Sequence, residues 1–230
     1  MSWSSGKDSA LALHEARRGG VLDVVGLLTT LNADAGRVAM HGVRRTLLHA
    51  QSEMLGLPVH AVELPWPCPN EVYEQRMADA LVRAREHGIE AMVFGDLYLE
   101  DIRAYREAAL EGTGVTPHFP LWQRPTDDLA RTIVDVGIKA VVTCVDVAQA
   151  PRELAGRWFD EQFLATLPPG VDPCGENGEF HTVVVDGVGF ARRIDMEVGV
   201  TVERDGFVFA DVIPVSSSSA SPGGSVAEVD

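Results

Sequence analysis

In the stretch MSWSSGKDSALALHEA (residues 1–16), residues 4–9 set three serines, a glycine, a lysine and an acid directly ahead of an apolar-periodic run. A helix that starts here aims its free N–H groups and positive dipole end at whatever lies over Ser4 to Ser9, which makes the segment an anion site. Ser4, Ser5 and Ser9 supply hydroxyl donors, Gly6 lets the backbone approach a phosphate closely, and Lys7 adds a charge. The pattern G-x-x-x-x-G-K-[ST] is not met, because Asp8 follows Lys7 and no glycine stands five residues before Gly6. That argues against an ordinary kinase or ATPase P-loop. The plainer reading, a serine-capped helix start after a turn, stays open on these residues alone.

Outward from this segment, short apolar runs alternate with helical patterns. The runs are VLDVVGLLTT (21–30), VHAVEL (59–64), AMVFGD (91–96) and KAVVTCVD (139–146). Between them, Ala10 to Arg18, Arg44 to Leu55, Glu71 to His87 and DDLARTIVDVG (127–137) read as helices, each stopped by glycine. The alternation predicts an α/β fold with a parallel sheet and crossover helices, whose ligands bind at the carboxyl ends of the strands. Only Met1, Ser2 and Trp3 precede Ser4, fewer than a strand of ordinary length, so either the central strand is very short or the start lies upstream.

Past about residue 147 the texture changes. Residues 151–166 read as one or two short helices, LPPGVDPCGENGEFHT (167–182) as a turn-rich loop entering a strand, and MEVGVTVE (196–203) and GFVFADVIPV (206–215) as antiparallel strands. The expected division is therefore 1–146, a smaller domain at 147–215, and a Ser/Gly/Pro-rich tail at 216–230 that is expected to be disordered.

With 46% hydrophobic residues in 230, the chain has ample material for a buried core. The balance of 19 basic against 34 acidic residues, −15 net, disfavours a non-specific grip on nucleic acid or an anionic membrane. Cys68, Cys144 and Cys174 lie far apart without C-x-x-C, which suits neither a disulfide framework nor a zinc site. No run approaches the roughly 20 apolar residues of a membrane span. A cytoplasmic location is expected.

Two further places carry chemistry. Asp96 ends the third apolar run, at the same sheet edge as Ser4 to Ser9, where an acid suits either Mg2+ or a helix cap. Downstream, Arg103 and Glu107 have the spacing of a solvated i,i+4 pair. In GENGEFHT (175–182), Glu176, Glu179 and His181 sit around a tight turn that presents side chains at a fixed place, where a carboxylate and an imidazole are able to take a proton. A hairpin turn with acidic decoration is the bland alternative. Cys174 reads as structural. His41 reads equally as a helix-start residue or as a neighbour of the site.

These residues carry a resemblance. SSGKDS (4–9) resembles the S-G-G-x-D-S loop of the PP-loop, or N-type ATP pyrophosphatase, superfamily, with Ser5 where the first glycine falls. MHGVRRTLLHAQSEMLGLPV (40–59), NEVYEQRM (70–77), GDLYLEDIRAYRE (95–107), PLW (120–122) and DPCGENGEFHT (172–182) narrow it to the ATP-binding family containing diphthine-ammonia ligase. The resemblance implies a HUP/Rossmann-like PP-loop domain with a smaller, partly antiparallel α+β domain. It implies an AMP- and pyrophosphate-forming ligase that adenylates a carboxylate and amidates it with ammonia. Ser4, Ser5, Gly6, Lys7, Asp8, Ser9, Gly95 and Arg103 would hold ATP, and Asp8 and Asp96 would hold Mg2+. Lys7, Asp8, Asp96, Glu176, Glu179 and His181 would serve catalysis. The implied partners are ATP, ammonia and a carboxylate-bearing acceptor, with no nucleic acid and no membrane; a homodimer is left open. A PP-loop tRNA-modifying enzyme and a non-catalytic adenine-nucleotide binder are the alternatives. Substitution of Lys7 or Asp8 is expected to abolish ATP-dependent activity with the fold intact, and Glu179→Ala to spare nucleotide binding.

Overall fold

A computed structural model describes residues 1–215; the tail expected from Ser216 lies outside the described residues. Strand β1 (Leu27–Asn32) pairs in parallel with β3 (Val59–Leu64) and, at its end, antiparallel with the short β2 (Arg37–Val38). A second parallel pair is β4 (Ala91–Val93) with β5 (Thr116–His118). Met1 to Trp3 join the two. Leu28 N–H donates to Met1 O at 2.8 Å and Trp3 N–H to Leu28 O at 2.7 Å, while Ser2 N–H reaches Val93 O at 2.9 Å. Three residues thus act as the central strand, because their few backbone groups are satisfied from both sides.

Helix α1 (Lys7–Arg18) follows at once, and its Leu11, Ala12, Leu13 and Ala16 are all buried. A second sheet packs against it. That sheet is antiparallel: β6 (Lys139–Asp146) carries β8 (Phe180–Asp186) along one edge and, on the other, β7 (Trp158–Phe159) at its start and β10 (Phe207–Pro214) at its end, and β9 (Met196–Arg204) lies beyond β10. The run KAVVTCVD, read from sequence as part of the parallel sheet, belongs here instead. Buried on both faces, it carries no alternation to distinguish the two settings.

The core is continuous across both sheets, running from Trp3, Leu31 and Leu47 through Leu121 and Ile133 to Phe163, Phe180 and Val184. Helices α2 (Arg45–Leu55) and α5 (Thr126–Asp135) bury apolar faces against it. Helices α3 (Asn70–Glu86) and α4 (Glu100–Leu110) bury only Ala80, Leu81 and Leu110, so they cover the other face of the parallel sheet loosely. A short α6 (Glu161–Ala165), capped by the Asp160 carboxylate, contributes Phe163. Asp211 on β10 accepts from Arg37 Nη1 and Nη2, both at 3.1 Å, and from Arg44 Nε at 2.8 Å, clamping the loop that carries His41. Hydrogen bonds from Arg44 above all hold the Asp211 carboxyl below its ordinary range. Among the described residues no helix is long and apolar enough to cross a membrane.

Candidate active site

The Ser4–Ser9 loop is built by its own serines and by β8. Ser9 Oγ donates to Gly6 O at 2.9 Å, and Ser4 Oγ accepts from Gly6 N–H at 3.3 Å. Lys7 N–H, one of the free donors of the first helical turn, is taken by Thr182 Oγ1 at 3.1 Å. Ser5 stands in the left-handed region, φ 70°, with its carbonyl accepting from Val184 N–H at 2.9 Å and Gln51 Nε2 at 3.1 Å. Gln51 is wholly buried, also donates to Val184 O at 2.7 Å, and accepts from Trp3 Nε1 at 2.9 Å. One amide therefore ties the central strand, the loop and β8 together.

Ser5 carries two local penalties: a left-handed backbone and a buried hydroxyl with no partner. The conformation costs a non-glycine residue about 1–2 kcal/mol, and the unpaired hydroxyl adds about 1 kcal/mol or more. Glycine recovers both while losing about 0.5–1 kcal/mol to the freedom of its unfolded chain. Ser5→Gly is thus expected to stabilise the protein by about 1 kcal/mol, read as a higher urea midpoint at unchanged slope.

Lys7 is 1% exposed. Its Nζ donates to Asp8 Oδ2 at 2.9 Å and to the carbonyl of Cys174, and lies 5.4 and 5.3 Å from the ring centres of Phe159 and Phe180. The Asp8 carboxylate holds the ammonium charged and raises its pKa against the opposing effect of burial. Burial pushes the Asp8 carboxyl up in turn, and its Oδ1 is buried without a partner.

The loop between Asp172 and Thr182 closes over this pair. Glu179, 3% exposed, accepts from Asp172 N–H, Asn177 N–H and Asn177 Nδ2, each at 3.0 Å. It turns inward as a brace for the loop and does not line the site. Gly175 is required where it stands: φ is 69°, and an added Cβ would meet Phe180 O at 2.7 Å. Glu176 points the other way, its Oε1 accepting from Leu97 N–H at 2.8 Å. Burial pushes its pKa up to about 7. The Cys174 thiol is raised well above its ordinary value by burial, which suits a structural residue rather than a nucleophile. Glu179→Ala removes three hydrogen bonds to a buried carboxylate, so it is expected to cost about 2 kcal/mol or more and to weaken phosphate binding with it. Equilibrium unfolding alongside pyrophosphate titration checks both.

Gly95, at the end of β4, packs on the first turn of α1, where a Cβ would lie 3.1 Å from Asp8 C and Ser9 N. Asp96 follows it and accepts from Arg106 Nε at 3.2 Å. Arg103 sits elsewhere: its Nε donates to Glu107 at 2.7 Å, and its guanidinium stacks on Trp122 and Phe119 at 4.7 and 4.8 Å.

Two adjoining cavities result. A polar one of about 200 Å³ is lined by Ser4, Lys7, Asp8, Ser9, Gly95, Asp96, Glu176 and His181 among others. An apolar one of about 400 Å³ lies under α3 and α4, against Trp3, Leu28, Thr30, Met40, Tyr73, Met77 and Tyr105. Of the sequence-predicted residues, Ser5, Gly6, Glu179 and Arg103 line neither cavity. Arg106, not singled out for the site, lines both cavities, as does His41, whose two readings the sequence left open, and Thr182 lines the polar one. Arg106 had no signal beyond its place one turn after Arg103. The His41 and His181 rings meet at a tilt with centroids 4.6 Å apart, and burial lowers them to about 3 and about 4, so both are neutral near pH 7.

A parallel sheet whose central strand feeds a serine-rich loop and helix N-terminus, completed by GENGEFHT, defines a PP-loop protein of the ATP pyrophosphatase superfamily. Residues 1–117 match the model of the diphthamide synthase N-terminal domain and residues 125–211 that of the diphthamide synthase C-terminal domain. The chain belongs to the diphthamide synthase family. It is similar to diphthine-ammonia ligases of Homo sapiens and Bos taurus, each 28% identical, and of Mus musculus, 29% identical, over 137 residues. The match covers 57% of this chain and 51% of each relative, so the chain spans about half the length of the curated relatives it matches.

Proposed function

We propose that the chain is an ATP-dependent ligase that adenylates a carboxylate and amidates it with ammonia, the acceptor being a carboxylate of the diphthine type named for its relatives. One observation carries the reading: the anion-binding loop and the acidic GENGEFHT loop close a single polar cavity, directly beside an apolar cavity large enough for a nucleoside.

On this reading adenosine occupies the apolar cavity and the triphosphate runs into the polar one, over the N-terminus of α1. The acceptor carboxylate attacks the α-phosphorus and pyrophosphate leaves. Ammonia then attacks the acyl carbon, the acyl–oxygen bond breaks, AMP departs, and the amide nitrogen gives up its proton. Glu176, the carboxyl raised to about 7, is the group suited to accept that proton. His41 and His181, neutral at working pH, wall the cavity without adding charge.

Among the described residues no three ligating side chains converge on a ready-made metal site. Mg2+ usually arrives with phosphate and needs only one or two carboxylates. The unpartnered Asp8 Oδ1 fits that demand, with Asp96 the second residue that would hold it. Mg2+ would supply neutralisation of the triphosphate.

The test is incubation with ATP, ammonium and a diphthine-bearing protein, with other carboxylate acceptors in parallel. AMP and pyrophosphate in equal amounts, with conversion of carboxylate to amide in the acceptor's mass spectrum, supports the reading. ATP bound and left intact with every acceptor favours a nucleotide sensor.

A further inference from the structure

We infer that Arg106 is a further catalytic residue of this site, the one that grips the α-phosphate where the two cavities meet. The inference rests on the nucleotide reading above. A nucleotide with its base in the apolar cavity and its terminal phosphates in the polar one must thread its α-phosphate through the wall they share. Five residues line both: Ser2, Ser4, His41, Phe94 and Arg106. Only Arg106 among them brings a fixed positive charge.

Its side chain is oriented before any ligand arrives. Nε is engaged with Asp96 at 3.2 Å, and the guanidinium lies 4.9 Å from the centre of the Phe94 ring, with the side chain 27% exposed. The two terminal nitrogens have no hydrogen-bond partner among the described residues. A guanidinium fixed through Nε and one face, with both ends of its fork free, is built for two parallel hydrogen bonds to a phosphate. Placed at the α-phosphorus, it meets the charge that grows on the equatorial oxygens as the carboxylate attacks. Arg103, one turn earlier on the same helix, is held off by Glu107, Phe119 and Trp122.

Equilibrium binding of adenosine, AMP and inorganic pyrophosphate to the full chain separates the possibilities. In Arg106→Ala, AMP affinity is expected to fall about tenfold to a hundredfold, while adenosine and pyrophosphate stay within about threefold. Arg106→Lys recovers part of the AMP affinity, since it keeps the charge and loses the fork. Because the alanine variant also frees the Asp96 carboxylate, the comparison is repeated in an Asp96→Asn background. An AMP-specific loss that persists there supports contact with the phosphate. A loss that vanishes there, equal losses for AMP and adenosine, or unchanged AMP affinity overturns the assignment and leaves the nucleotide reading standing. A wild-type chain that binds none of the three ligands removes the nucleotide reading and this assignment with it.

Discussion

Replacing Lys7 by alanine is expected to abolish pyrophosphate release and, in the same variant, to destabilise the fold by about 3–5 kcal/mol. The sequence alone predicts the first effect with an intact fold. The structure adds the second, because Lys7 is not a free lysine reaching into a phosphate pocket but a 1% exposed one, tied to Asp8 and to the Cys174 carbonyl. Truncation strands the Asp8 carboxylate, whose Oδ1 already has no partner, and opens a hole between Phe159 and Phe180. Out of a total of about 5–15 kcal/mol for an ordinary domain, this is a large share. A double variant, Lys7→Met with Asp8→Asn, separates the two consequences. It removes both charges at nearly constant volume, so stability returns to within about 1 kcal/mol of wild type while phosphate chemistry stays lost. Denaturant unfolding and a pyrophosphate-release assay on the three proteins read the outcome. Wild-type stability and turnover in Lys7→Ala would refute the account.

The same pair shows how far sequence reading reaches. Ser4 to Ser9 were legible as an anion loop because small residues before a helix start have a local physical meaning, and the helices were legible through their apolar period and glycine stops. The three-residue central strand was legible only as one of two alternatives: Met1 to Trp3 qualify as a strand through hydrogen bonds to Leu28 and Val93, partners distant in the chain. For the same reason KAVVTCVD could be read as a strand but not assigned to its sheet. Within the site, residue types were readable and directions were not. Glu176 and Glu179 are three apart on one turn, yet one faces the cavity and the other the loop interior. Arg103 and Arg106 are three apart on one helix, and the aromatic pair Phe119 and Trp122 diverts the first. Each choice is made by a neighbour that only the folded chain supplies.

Glu176→Gln carries the other large effect, because it tests a carboxyl whose environment tunes it for work near neutral pH. Burial, aided by the Asp8 charge, raises it from about 4.5 to about 7 in spite of the Leu97 N–H that favours the carboxylate. A base must be unprotonated, so amide formation at constant free ammonia is expected to rise as pH climbs through about 7. Glutamine keeps the oxygen that accepts from Leu97 and loses the basicity, so kcat should fall about 10²–10⁴-fold, with the limb near neutral pH gone and ATP affinity within about threefold. Stability moves the opposite way. Between about 4.5 and 7 the folded protein holds a proton on Glu176 that the unfolded chain has released, so wild-type stability declines as pH rises through that window. The glutamine variant, having no charge to bury, should be the more stable protein at pH 8, and the gain should disappear below about pH 4.5. A variant that is slower and sturdier at pH 8 identifies a carboxylate kept in an unfavourable place for its chemistry; a variant with unchanged rate and unchanged pH limb assigns the proton to another group.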